Sequence, residues 1–208
     1  MRLDSITKSF GPVRALRGVS LDIRAGQVLA LIGENGAGKS TLMKVLSGAH
    51  RPDSGSVEME GRPLALANPL AARRAGIAMI YQELTLAPDL TVEENITLGL
   101  EQSRCGFLRP QSEKIAAALK LLGAEDISPD QKVATLTIAR QQVVEIARAI
   151  VSDARVVIMD EPTSSLSEED KRALFRVINK LREEGLAIVY ISHFLDEIDE
   201  IADRYAVL

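Results

Sequence analysis

Two stretches of this chain have residue types and spacing suited to phosphate chemistry. Gly33-Glu34-Asn35-Gly36-Ala37-Gly38-Lys39-Ser40 follows the pattern G-x-x-x-x-G-K-[ST] directly after an apolar run, and Thr41 leads on into a segment of helical period. The glycines let the backbone wrap an anion with its N–H groups pointing inward, and a helix start adds partial positive charge. Lys39 is suited to reach terminal phosphates and the Ser40 hydroxyl to coordinate Mg²⁺. The second stretch is Val156–Met159, an apolar run closed by Asp160 and Glu161. An acidic pair after a strand is, by itself, more often a turn or a helix cap. Beside a phosphate-binding loop it reads as a pair in which Asp160 holds Mg²⁺ and Glu161 polarises an attacking water.

The elements that must position these groups follow from the hydrophobic pattern. Val28–Ile32, Ala78–Tyr81, Val156–Met159 and Ala187–Ile191 are strand-length apolar runs. Helical spacing predicts helices over Ser40–Leu46 and Glu168–Glu184, the latter with Ala173, Leu174, Val177, Ile178 and Leu181 on one face. Strands alternating with helices predict an α/β fold with a parallel sheet covered on both faces. Leu3–Ile23 reads instead as an antiparallel flap turning at Gly11-Pro12. Leu90–Leu122 reads as wholly helical, with Val92–Leu98 and Ser112–Leu122 as its helices. Tyr205–Leu208 reads as part of a strand, so the natural polypeptide is expected to continue beyond it.

Composition excludes some functions. Of 208 residues, 46% are hydrophobic and 26% charged, an ordinary globular balance. A net charge of −4, without a basic block, argues against a surface that neutralises many phosphates of DNA or RNA. Cys105 is the single cysteine, so no internal disulfide forms and a reducing compartment is expected. No signal-peptide pattern opens the chain, and no run approaches the roughly 20 apolar residues that span a bilayer.

With both motifs placed, the whole chain resembles the ATP-binding cassette family, most closely the first cassette of the ATPase subunits that serve importers of ribose, galactose and xylose. Glu34–Gly48, Ala75–Gly99 and Gln141–Ala147 carry the closer resemblance. It implies a P-loop parallel-sheet core with an N-terminal antiparallel β flap and an inserted helical subdomain. The expected boundaries are a single domain over 1–208, with core and flap at 1–89 and 135–208 and the helical subdomain at 90–134. It implies that Phe10 stacks on adenine, that Gln82 touches Mg²⁺ and senses a membrane partner, and that His193 contacts the γ-phosphate. Thr137, Ile138, Ala139 and Arg140 align with the signature that meets the nucleotide of the opposite cassette. There the family has Ser-Gly-Gly-Gln, so the two glycines are lost, and Ile and Ala restrict both close approach and positive φ. Ser167 is a second departure, where the family usually has Asp.

The resemblance further implies hydrolysis of ATP with Mg²⁺, in which Lys39, Glu161 and His193 are the catalytic groups. The implied partners are a second cassette (fused or dimeric), membrane permease subunits and, indirectly, a periplasmic sugar-binding protein, with no nucleic acid. The expected location is cytoplasmic, on the inner face of the membrane through the permease. Three alternatives are weaker, one of them a regulatory nucleotide-binding module without hydrolysis, which the presence of Glu161 and His193 argues against. A GTPase switch would need Asn-Lys-x-Asp, and Asn179-Lys180-Leu181-Arg182 lacks the Asp. A soluble cassette acting on nucleic acid or ribosomes conflicts with the acidic balance.

Overall fold

A computed structural model describes the chain except for Asn35, Glu101, Gln102, Cys105, Gly106, Arg109 and Pro110, with residues 103, 104, 107 and 108 described by their backbone. The expectations for Asn35 and Cys105 therefore lie outside the described residues. The elements run β1 (Arg2–Phe10), β2 (Val13–Asp22), β3 (Val28–Ile32), α1 (Lys39–Leu46), β4 (Ser54–Met59), β5 (Arg62–Pro63), α2 (Pro69–Arg74) and β6 (Ile77–Ile80). Next come α3 (Val92–Thr97), β7 (Ser103–Arg104), β8 (Phe107–Leu108), α4 (Ser112–Leu121) and a 3₁₀ turn at Val133–Thr135. The chain closes with α5 (Ile138–Val151), β9 (Val156–Asp160), α6 (Glu168–Glu183), β10 (Ala187–Ile191), α7 (Leu195–Ile201) and β11 (Arg204–Val207).

Two sheets dominate. β11, β3, β10, β9 and β6 lie in that order, with β11·β3, β3·β10 and β10·β9 all parallel. β10 is buried along its whole length, as are the first four residues of β3 and β9, which is why these strands read as unbroken apolar runs. The second sheet, β2-β1-β4-β5, is antiparallel. Leu3, Ile6, Leu16 and Val57 from it join Leu29, Leu31, Leu42, Leu46, Ile158 and Val189 in one apolar cluster. That shared core fixes the start of α1 against the flap.

By contact density the chain forms two units. One comprises Met1–Met79, Ala154–Glu161 and Leu181–Leu208, and holds both large sheets. The other comprises Ile80–Asp153 and Pro162–Lys180, and is mainly helical. Its stretch Leu90–Leu122 is not wholly helical as expected: β7 and β8 pair antiparallel, Ser103 with Leu108 and Arg104 with Phe107. The sequence reading also lacked β4, β5, α2 and α7.

Candidate functional site

Strand register decides which groups meet. Ile191 of β10 pairs with Asp160 of β9, and with Leu31 of β3. Parallel strands in this register end together, so the Gly33–Ser40 loop, the Asp160-Glu161 pair and Ser192-His193 all leave the sheet at its carboxyl edge. That edge is where open α/β sheets bind their ligands.

The loop begins where β3 ends and runs straight into α1. Its last glycine is demanded by geometry. Gly38 has φ +104°, and a Cβ there would sit 2.5 Å from the Ala15 carbonyl oxygen of β2. Only a glycine lets the loop pass the flap so closely. Gly36 also has positive φ, whereas Gly33 does not. No side chain among the described residues caps the start of α1, which leaves its first N–H groups for another acceptor. The Lys39 ammonium curls back over the loop, donating to the carbonyls of Gly33 at 2.5 Å and Glu34 at 3.1 Å. Glu34 and Ser40 are exposed, and Ala37 and Thr41 half-buried.

Across the sheet edge, Asp160 is half-buried, and loss of water around it raises its carboxyl above the ordinary value. The charge of Glu161 pushes the same way, and the nearby Lys39 ammonium opposes both. The backbone of Glu161 is itself strained, at φ +46° for a side chain that rarely accepts it. Its N–H donates to Ile191 O at 3.0 Å. Glu161 Oε1 lies 3.2 Å from His193 Nδ1. Carboxylate oxygens accept, so the contact is a hydrogen bond when the ring proton sits on Nδ1.

The residues present fit a hard divalent cation. Asp160 is a desolvated carboxylate beside a second negative charge, a combination that a cation relieves. No cluster of three or more His, Cys, Asp or Glu that could hold a metal occurs among the described residues. A sparse donor set of this kind suits magnesium, which keeps waters and shares its shell with substrate phosphates.

Other predicted residues are distributed as follows. Phe10 ends β1 with its ring 44% exposed, edge-on to His50 at 5.2 Å and with the Lys8 ammonium 5.7 Å from its centroid. It is a presented aromatic surface and not a core residue. Gln82 is exposed in the bend after β6, in the helical unit. Thr137 is the N-cap of α5, accepting from Arg140 N at 3.4 Å, and Ile138, Ala139 and Arg140 form the first helical turn. None of these three has positive φ, so in this chain the signature start needs no glycine conformation. Arg140 pairs with Asp126 at 2.8 Å. Ser167 Oγ accepts from Asp170 N at 3.2 Å and donates to its carboxylate, so the residue that departs from the family pattern caps α6.

Sequence reasoning missed two buried carboxylates. Glu197 accepts from Tyr190 OH and Ser192 Oγ, both at 2.8 Å, and Ser192 Oγ accepts from Phe194 N at 3.1 Å. The backbone on either side of His193 is thereby pinned. Glu145 is 6% exposed on α5 and accepts from Thr85. An acid within the buried face of an amphipathic helix was the signal available for it.

Residues 16–164 match the ABC transporter family. The chain is 52% identical over 215 residues to ribose import ATP-binding protein RbsA 2 of Burkholderia pseudomallei (strain 1710b), aligning 100% of itself with 41% of that relative. It is 50% identical to ribose import ATP-binding protein RbsA of Chromobacterium violaceum, over 98% of this chain and 41% of the other. The chain thus spans 41% of the length of these relatives. Among solved structures, a nucleotide-free ATP-binding cassette from an ABC transporter superposes with a TM-score of 0.88 at 28% identity, covering 100% of this chain and 86% of that one. The ADP conformation of an ATP-binding cassette superposes at 0.87, with 28% identity over 100% and 86% of the two chains. No helix among the described residues is long and apolar enough to cross a membrane. With its loop, acidic strand end and histidine gathered on one sheet edge, and the family match running over most of its length, the chain belongs to the ABC transporter family and has the fold of its ATP-binding cassettes.

Proposed function

We propose that this cassette hydrolyses ATP to ADP and phosphate as the first of two cassettes in a longer polypeptide, and that the cycle powers import of a monosaccharide. The reading rests on one observation: the common end of β3, β10 and β9 gathers Lys39, Asp160, Glu161 and His193, with Lys39 felt by Asp160 and His193 in contact with Glu161. Similarity to ribose import ATP-binding proteins supports the sugar class.

Phosphoryl transfer needs positioning and charge neutralisation more than covalent chemistry. The N–H groups of Gly36–Thr41 and the Lys39 ammonium take the phosphates in place of the carbonyls of Gly33 and Glu34. Ser40 and Asp160 would hold magnesium, which would neutralise charge on the phosphates. Glu161 accepts a proton from water, whose oxygen bonds to the γ-phosphorus as the bridging oxygen leaves with ADP. His193, held beside Glu161, meets the γ-phosphate through a ring N–H. Phe10 stacks on the adenine. Gln82 senses the permease, and the Thr137–Arg140 turn faces the nucleotide of the second cassette. A cytoplasmic location on the inner face of the membrane, held by permease subunits fed by a periplasmic binding protein, follows from this assignment. The test is Glu161→Gln in the full two-cassette chain. ATP affinity is expected to hold while turnover falls by about 10²–10⁴-fold, the usual contribution of a general base. Near-normal turnover would remove Glu161 from catalysis.

A further inference from the structure

The segment from Tyr81 to Leu90 has no regular secondary structure, yet buried side chains hold its backbone in two places. At Thr85, both the backbone N–H (2.6 Å) and the hydroxyl (2.8 Å) donate to Oε1 of Glu145. At Ala87, the N–H donates to Asn95 Oδ1 at 2.7 Å, and Asn95 Nδ2 returns a bond to the Ala87 carbonyl at 2.9 Å. Asn95 is fully buried on α3 and Glu145 nearly so on α5. Loops usually satisfy their polar groups with water. This one is tied to two helices instead, three residues beyond Gln82.

Placing Glu145 here is costly. Burial raises its carboxyl above the ordinary value despite the two Thr85 bonds and the Arg148 charge, and among the described residues Oε2 is buried without a hydrogen-bond partner. Burying a carboxyl costs more than burying an apolar side chain of the same size, so packing alone does not account for an acid at this position. The same helix starts with the Thr137–Arg140 turn, two helical turns before Glu145. We propose that Glu145 is a positioning residue: through Thr85 it makes the Gln82 segment and α5 move as one body, so that displacement at Gln82 shifts the Thr137–Arg140 turn. This rests on the ATPase reading above and deepens it, because that turn and Gln82 are there assigned to the second nucleotide and the permease.

The test uses the full two-cassette polypeptide assembled with its permease and sugar-loaded binding protein. Glu145→Ala is expected to lower stimulated kcat by about tenfold, the effect of losing the bonds to a buried acceptor, while KM for ATP stays within about twofold. Glu145→Gln, which keeps the Oε1 acceptor, is expected to recover most of that loss. Thr85→Val removes one of the two bonds without emptying a buried site and should give an intermediate loss. The inference is overturned if Glu145→Ala turns over normally, if Glu145→Gln is as damaged as Glu145→Ala, or if Thr85→Val has no effect. Absence of ATP turnover in the unaltered transporter would overturn the ATPase reading itself, a separate outcome.

Discussion

Two helix starts in this molecule are built in opposite ways. α1 opens on Gly38 in a left-handed conformation, with no side chain among the described residues closing its end. α5 opens on Thr137, whose hydroxyl accepts from Arg140 N, and the Arg140 side chain is itself paired with Asp126. The first helix leaves its terminal N–H groups and macrodipole directed outward, a standing demand for an anion. The second meets part of that demand internally, and 48%-exposed Ile138 projects where the family pattern has a glycine. On the function proposed above, the open start of α1 takes the phosphates, while the start of α5 is closed in part by its own side chain. That physical difference separates the loop that resembles an intact cradle from the signature that departs from its family.

The largest expected effect comes from removing the charge that completes the uncapped end. Lys39→Ala leaves the α1 amides in place and deletes only the ammonium that now bridges the carbonyls of Gly33 and Glu34. ATP affinity should fall by about 10- to 100-fold, matching one charged hydrogen bond of about 1.5–3 kcal/mol. Titration of the purified chain with a fluorescent ATP analogue measures it. Unchanged affinity would mean that α1's open start is not the phosphate site, and the contrast with α5 would lose its meaning.

A second test probes the acid facing that helix. Asp160 is held above its ordinary value of 3.8 by burial and by Glu161, so the folded chain retains a proton that the unfolded chain has released. Stability attributable to this group therefore falls as pH rises from about 3.8 through the folded value, and the cost persists at neutral pH. Asp160→Asn should raise the melting temperature of the ligand-free chain at pH 7, with the gain shrinking as pH falls through the raised folded value and gone near the ordinary 3.8, where both states are protonated. Magnesium with ATP should reverse the ranking, stabilising the native chain more than the variant. If the variant melts below the native protein without ligand, burial is not the dominant force on Asp160.

How much of this was legible beforehand depended on whether one face or both faces of an element are buried. Val28–Ile32, Val156–Asp160 and Ala187–Ile191 are enclosed by neighbours, so each reads as an apolar run and its boundaries came out within a residue. β4 shows a single buried residue, Val57, among Ser, Gly and Glu, and carries no pattern to read. Its partner β5 follows a turn of Glu60 and Gly61, both at positive φ, and that Glu-Gly pair was the only cue. The nearness of Glu161 and His193 followed from two strand ends once their order was known. The strained backbone of Glu161 could not be read, because no residue type announces it. Nor could the Glu145–Thr85 bonds, which join positions 60 apart in sequence, one of them in a loop without period.

The smallest effect tests the capped end. Thr137 Oγ1 accepts from Arg140 N at a long 3.4 Å, so the bond is weak and Thr137→Ala should cost about 0.5 kcal/mol, the low end for an N-cap. A melting-temperature loss of a few degrees or less in the isolated chain would agree with that size. The informative readout is nucleotide binding across the pair of cassettes. Freeing the first N–H groups of α5 recreates, in part, the open end that α1 already has, while Arg140 remains tied to Asp126. If the cap is what weakens this signature, Thr137→Ala in the full transporter should hold nucleotide at the second site as well as the native protein does, despite the lost hydroxyl. If affinity there drops instead, the hydroxyl itself serves the nucleotide. The two helix starts would then differ in the strength of their grip on phosphate, and not in whether they grip it.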